Sequence, residues 1–216
     1  MQNRPLKAPV IPVEQKSPMI PRLLRPAVFA IAATLALGAC TSAPPRPQAR
    51  QISFANLAPI SFDVARIEVV QQYQPPQVPP NVEHLTPVQP TDAIRRWANE
   101  RVRAMGSSGT MRVIIKDASI TETHLKPTTG VRGTFTTDQS ERYDGRLSVD
   151  LVVEVPSRQF QGYTGATVSR TISVPENVSL QGREDAWHSL VERMMADLNA
   201  KLEEGIDGNL SAVTLR

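Results

Sequence analysis

Between residues 143 and 155 apolar and polar side chains alternate. Leu147, Val149, Leu151, Val153 and Val155 take one phase, and Arg146, Ser148, Asp150 and Glu154 the other, with Val152 among them. A period of two fixes an extended strand with one face in an apolar layer and the other in water, as in an antiparallel sheet covered on one side. The cover is visible further along the chain. Trp187, Leu190, Val191, Met194, Leu198 and Leu202 recur at helical spacing over 184–204 and form a continuous apolar stripe. A one-faced strand beside a one-faced helix demands a layered fold in which helices cover a sheet.

The remaining segments fit that demand. Residues 60–70 (ISFDVARIEVV) are apolar and β-branched and read as one strand. Six prolines at 75, 76, 79, 80, 87 and 90 then predict a structureless connection of polyproline II character. Thr91 is the expected N-cap of a helix over 91–105, which carries Ile94, Trp97, Ala98, Val102 and Met105 on one face and stops at the run Gly106–Gly109. Residues 110–124 read as a strand whose phase slips near Asp117, the mark of a bulge. Residues 126–142 are polar and read as a loop, and 163–173 as a further strand with Ala166, Val168 and Ile172 on one side. Gly205 is expected to stop the last helix, and Ser211–Leu215 to add a short edge strand. The predicted class is α+β, in the order β-α-β-β-β-α. It is a mainly antiparallel four-stranded sheet with two helices on one face, and Trp97 and Trp187 lie between the layers.

Charge removes one class of partner. The formal net charge of the 216 residues is +3, but five of the 24 basic and only one of the 21 acidic residues precede residue 40. The rest holds 19 basic against 20 acidic residues, so the body has no electrostatic footprint for a nucleic acid. A single cysteine, Cys40, excludes an intramolecular disulfide and any multi-cysteine metal site.

The N-terminal excess of charge sits in a recognisable order. Arg22 and Arg25 precede thirteen uncharged residues, 27–39 (AVFAIAATLALGA), and Cys40 follows at once. The run is shorter than the roughly 20 residues that a spanning helix needs and has the length of a signal-peptide apolar core. The tetrapeptide Leu37-Gly38-Ala39-Cys40 resembles the lipobox of bacterial lipoproteins. The resemblance implies that Leu37, Gly38 and Ala39 are read by the signal peptidase and that Cys40 receives a diacylglycerol and becomes the first residue of the mature chain. The partner so implied is the lipid bilayer, reached through acylated Cys40. In lipoproteins of two-membrane bacteria an Asp after the cysteine favours the inner membrane. Thr41 stands there, so the outer membrane, on its periplasmic side, is expected. Residues 1–18 carry four prolines, unlike a signal's basic start, and Met19 is the expected initiator. The organisation reads as leader and signal over 1–39, lipidated cysteine and Pro-rich tether over 40–59, and one domain over 60–216.

Sites within the body are sparse. His84, His124 and His188 form no metal-ligand spacing, and no GxSxG, GxGxxG or GxxxxGK[ST] occurs. The expectation is a protein that is not an enzyme and carries no cofactor or metal. Charge marks one surface. Arg95, Arg96, Arg101 and Arg103 against Asp92 and Glu100 give the first helix a net +2, while the last helix over 183–204 carries a net −3. The two helices should attract one another, and Arg95, Arg96 and Arg103 are candidates for contact with an acidic partner or anionic headgroups. The polar loop 126–142 is a second candidate surface.

The run AIRRWANERVRA, the strand beginning MRVII, the hairpin and the closing amphipathic helix resemble the auxiliary lipoproteins of ABC-type lipid-transport systems. Those proteins place an Arg-Trp pair in the first helix, matched here by Arg96-Trp97. The resemblance implies a binding or accessory module of an envelope complex, with a protein partner there. An envelope enzyme with an unrecognised site and a purely structural envelope lipoprotein are the alternatives.

Overall fold

The structure is a computed structural model that describes residues 51–126 and 139–215. All of these lie in the compact unit Gln48–Arg216. The strands are β1 (Ile60–Phe62), β2 (Arg66–Gln71), β3 (Val102–Ala104), β4 (Thr110–His124), β5 (Gln139–Val155), β6 (Phe160–Pro175) and β7 (Thr214–Leu215), and the helices are α1 (Pro90–Arg101) and α2 (Leu180–Asn209). The fold is α+β, as expected.

The main sheet has the order β2-β4-β5-β6. The β4–β5 and β5–β6 pairs are antiparallel, whereas β2 lies parallel to β4 with Ile67 opposite Met111. The sheet is therefore mixed, not purely antiparallel. A parallel pair needs a crossover, and the Pro-rich segment with α1 supplies it. The bulge expected near Asp117 is present, as a register shift between Ile115 and Asp117.

Several expectations are corrected. The single strand over 60–70 is two strands in two sheets. Phe62 and Val64 are buried in one phase, but Ala65 and Arg66 are both exposed and the inward phase passes to Ile67 and Val69, so the alternation breaks between them, where the Asp63 N–H donates to the Val213 carbonyl at 2.8 Å. β1 joins a second, three-stranded sheet of order β3-β1-β7, parallel to β3 and antiparallel to β7. The short strand expected near the C-terminus is thus β7, reached through a 3-10 turn at Ser211–Val213.

α1 begins one residue before Thr91, with Pro90 preset for the first turn, and it ends four residues early. Val102 is extended (φ −107°, ψ 129°) and begins β3, as suits a β-branched residue. Met105 consequently leaves the apolar face and is 66% exposed. The glycines at 106–109 turn β3 into β4 and do not stop a helix. Gly109 has φ +86°, and a Cβ there would meet the Glu154 carbonyl oxygen at 2.7 Å.

Nor is the Pro-rich segment structureless. Val82, Glu83, Thr86 and Pro90 are buried, and Asn81 bridges Thr121 of β4. Gly205 does not end α2, which continues to Asn209. Its α-carbon rides against β6, where a Cβ would fall 2.1 Å from Thr164 Oγ1.

One apolar core fills the space between the helices and the main sheet. Leu147, Val149, Leu151 and Val153 are inaccessible, and they face Trp97, Leu190, Met194 and Leu198. Ile52 and Phe54 are buried in the same core, upstream of β1. Both tryptophans sit between the layers.

Candidate functional site

The arginines singled out from the sequence lie on one side of α1. Asp92, Arg95 and Asn99 are exposed and Arg96 is half-buried, at the spacing of one helical face. Arg103 is on β3 and not on the helix, because α1 ends at Arg101. Its side chain nonetheless returns to the helix, where Nη1 donates to the carbonyl of Asn99 and so occupies an acceptor of the last turn. Arg95 donates to Gln71 Oε1 at 2.8 Å, and Arg96 lies 3.8 Å from Glu100. Arg95 and Arg103 are exposed and Arg96 half-buried, each with its own partner: Gln71, the Asn99 carbonyl and Glu100 respectively.

Arg101, on the opposite side of the helix, is buried. Its Nε donates to Asn199 Oδ1 at 3.2 Å, the same oxygen that accepts from Trp97 Nε1 at 2.8 Å, and its guanidinium pairs with Glu203. The expected attraction between the helices is realised in this cluster. Trp97 and Arg101 are four residues apart, so the arginine had to share the buried face of the tryptophan. That spacing was the available signal.

A second polar cluster fixes the start of α2. Arg183 donates to both oxygens of Glu141 at 2.8 and 3.0 Å, and Glu141 also accepts from the Tyr143 hydroxyl. Burial, and then the bond to Glu141, push the Tyr143 phenol above its usual range. Its ring meets Trp187 edge-on at 5.5 Å. The pairing of β4 with β5 brings Glu122 and His124 beside Glu141, and the three offer ligand atoms within 4.8 Å of one another. This grouping escaped the search for spacing motifs because its members come from two strands. The carboxylate of Glu141 already faces a guanidinium, so a cation there would have to compete with Arg183.

A third polar cluster, around the buried carboxylate of Glu83, holds the Pro-rich segment. It accepts from Tyr73 Oη at 2.7 Å, from Asn81 Nδ2 at 3.2 Å and from the Ile120 N–H at 3.3 Å. Burial raises the Tyr73 phenol, and the bond to Glu83 raises it further. Tyr73 and Asn81 are near Glu83 in the chain, but its burial follows from β4, whose Ile120 N–H lies 37 residues away.

The uncovered face of the main sheet is polar and internally paired. Arg112–Glu154 (2.5 Å), Lys116–Asp150 (3.7 Å) and Arg146–Asp117 (3.3 Å) cross between strands. Tyr163 leans over Gly165 to donate to Asp150 at 3.0 Å. An open concavity of about 570 Å³ at the β5–β6 turn is lined by Glu154, Val155, Pro156, Gln159, Phe160 and Gln161. It holds no pair of ionisable groups suited to acid–base chemistry.

Leu37, Gly38, Ala39 and Cys40 lie outside the described residues, as does most of the loop expected over 126–142. Among the described residues no helix is long and apolar enough to cross a membrane.

No protein-family model matches the chain, and neither does any curated protein. Among solved structures it is similar to rare lipoprotein B of Shewanella oneidensis, at 12% identity and a TM-score of 0.34, over 64% of this chain and 92% of that one. It is similar also to a minor lipoprotein of Acinetobacter baumannii, at 10% identity and a TM-score of 0.33, over 64% and 89% of the two chains. A Xanthomonas campestris protein of the DUF330 family model is matched at 10% identity and a TM-score of 0.31, over 70% and 90%. Likenesses this low carry no argument about function.

Proposed function

We propose that the protein is a bacterial envelope lipoprotein, anchored on the periplasmic side through acylated Cys40, whose folded domain serves as a binding or accessory module of an envelope complex. The observation that carries this reading is the order Arg22, Arg25, an uncharged run over 27–39, then Leu37-Gly38-Ala39-Cys40 with the chain's single cysteine at its end. Each part has a physical task. The arginines hold the cytoplasmic side, and the apolar run enters the bilayer. The small residues leave the backbone open to a protease. Two or three acyl chains, at about 0.8 kcal/mol per buried CH₂, then retain the protein on the membrane without a spanning helix.

Thr41 after the cysteine supports the outer membrane as the destination. Lipid transport is the foremost process for such a module, on the resemblance of Arg96-Trp97 and the surrounding order of elements to the auxiliary lipoproteins of ABC-type lipid-transport systems. The described surface fits binding better than catalysis. Several of its ionisable side chains are engaged in pairs that join elements, such as Arg170–Asp197 and Arg183–Glu141.

Replacing Cys40 by serine tests the anchor. The Cys40→Ser chain should accumulate as unprocessed precursor and carry no acyl group. Processing to normal size with normal membrane retention in that variant would overturn the proposal.

A further inference from the structure

We infer that the arginine face of α1 docks on the anionic headgroups of the bilayer that holds the anchor, so that the domain lies against the membrane by this side. The inference rests on the lipid anchor proposed above and adds an orientation to it.

The first observation is where the chain joins the domain. Ser53 Oγ donates to Glu100 Oε2 at 3.0 Å and the Phe54 N–H to the same oxygen at 2.5 Å, while Ile52 and Phe54 are buried in the core. The tether side of the chain therefore meets the domain at the last turn of α1. Glu100 is also the residue 3.8 Å from Arg96, so the junction and the arginine group are immediate neighbours.

The second observation is reach. Ten residues, 41–50, separate Cys40 from the first described residue. Ten residues can reach at most about 35 Å. A short leash favours contact between the bilayer and whatever surface surrounds its attachment.

The third is charge. Arg95 and Arg103 are exposed and held by neutral groups, the amide of Gln71 and the carbonyls of Asn99 and Val102. Such bonds leave the positive charge uncompensated. Glu100 keeps its charge beside Arg96, because its donors Ser53 and Phe54 are neutral, and Asp92 is the exposed acid at the far end of the helical face, so the positive surplus here rests on Arg95 and Arg103. Along α2 the balance is reversed, at net −3 over 183–204, and Glu203 beside α1 is engaged by Arg101. Acyl chains together with a basic patch form the two-signal arrangement that sets peripheral proteins on anionic membranes.

The test uses the lipidated full chain, extracted from its own membranes, with its acylation confirmed by mass, and reconstituted into vesicles. Acylation blocks the native thiol, so the variants Asn99→Cys on α1 and Ser169→Cys on β6 each accept one fluorophore. Quenching is read from lipids that carry a quencher at the headgroup. The Asn99 site should be quenched in phosphatidylcholine–phosphatidylglycerol vesicles and not in pure phosphatidylcholine, and the Ser169 site in neither.

At about fivefold per basic group near an anionic surface, Arg95→Gln, Arg96→Gln and Arg103→Gln together should lower the docking equilibrium about a hundredfold. These side chains lie outside the core, so the triple variant should keep its melting temperature. Acylated protein with an unquenched Asn99 site, or quenching that survives the triple change, would overturn the docking while leaving the anchor intact. A triple variant that loses an acidic protein partner, with no quenching in the parent, would assign the face to that partner instead. A chain without acyl mass on Cys40 would overturn the anchor itself and this inference with it.

Discussion

Gly205 and Thr164 show how closely α2 lies on the sheet. A Cβ on residue 205 would fall 2.1 Å from Thr164 Oγ1, and Thr164 is buried within β6. Gly205→Ala should therefore destabilise the fold by about 1–3 kcal/mol, the usual cost of forcing a methyl into a packed contact. Thr164→Ala removes the obstructing hydroxyl and methyl, so the double variant should lose less than the sum of the two single changes. Strict additivity in denaturant unfolding would contradict the packing described. The sequence presents Gly205 only as a glycine near the end of an apolar stripe, where a helix stop is the natural reading. The close approach is visible only once β6 lies beneath it. Trp187 is the opposite case, since its place in the stripe over 184–204 already marks it as core. It is 6% exposed and edge-on to Tyr143. Trp187→Ala should cost about 3–5 kcal/mol, and a loss below about 1 kcal/mol would place that face outside the core.

Among the elements, the long ones were legible and the short ones were not. β4 spans Thr110–His124, as the alternation over those residues indicates, and α2 covers the whole expected stripe. Periodicity is strong when it runs for ten or more residues. β1, β3 and β7 have three, three and two residues, and their existence depends on each other's backbone and not on a pattern of their own. The same reason hides the end of α1. Val102 and Met105 keep helical spacing, but β1 offers hydrogen bonds to residues 102–104 and the chain takes them. The clamp between β6 and α2 belongs to this scale too. Arg170 donates to both oxygens of Asp197 at 2.6 and 3.0 Å, and these bonds hold the Asp197 carboxyl below its ordinary value of 3.8. A carboxylate with a depressed value contributes stability above that ordinary value and loses it as pH falls through the folded one. Asp197→Asn should accordingly lower the melting temperature at neutral pH. The gap from the parent should narrow as the solution is acidified below pH 3.8. A gap unchanged down to pH 3 would show that the pair contributes nothing through charge.

For the molecule as a whole, the sequence speaks most clearly where the structure describes nothing, over residues 22–40. Arg22, Arg25, the uncharged run and Leu37-Gly38-Ala39-Cys40 form the linear pattern on which the proposed signal rests, and it needs no fold to be read. The folded domain reverses the relation. The arginines of α1 were legible as composition, but that Arg96 stands beside the entry of the chain into the domain follows only from the bonds of Ser53 and Phe54 to Glu100. The cluster of Trp97, Arg101, Asn199 and Glu203 joins residues about a hundred positions apart, beyond the reach of any local pattern. The proposed function joins a lipid anchor at Cys40, a Pro-rich segment and this helix-on-sheet domain in one membrane-held module. The most direct test is the intact mass of the protein extracted from its own membranes. The account predicts a chain that begins at Cys40 and carries two or three acyl groups. A chain that retains residues 19–39, or that is cut elsewhere and bears no lipid, would contradict it.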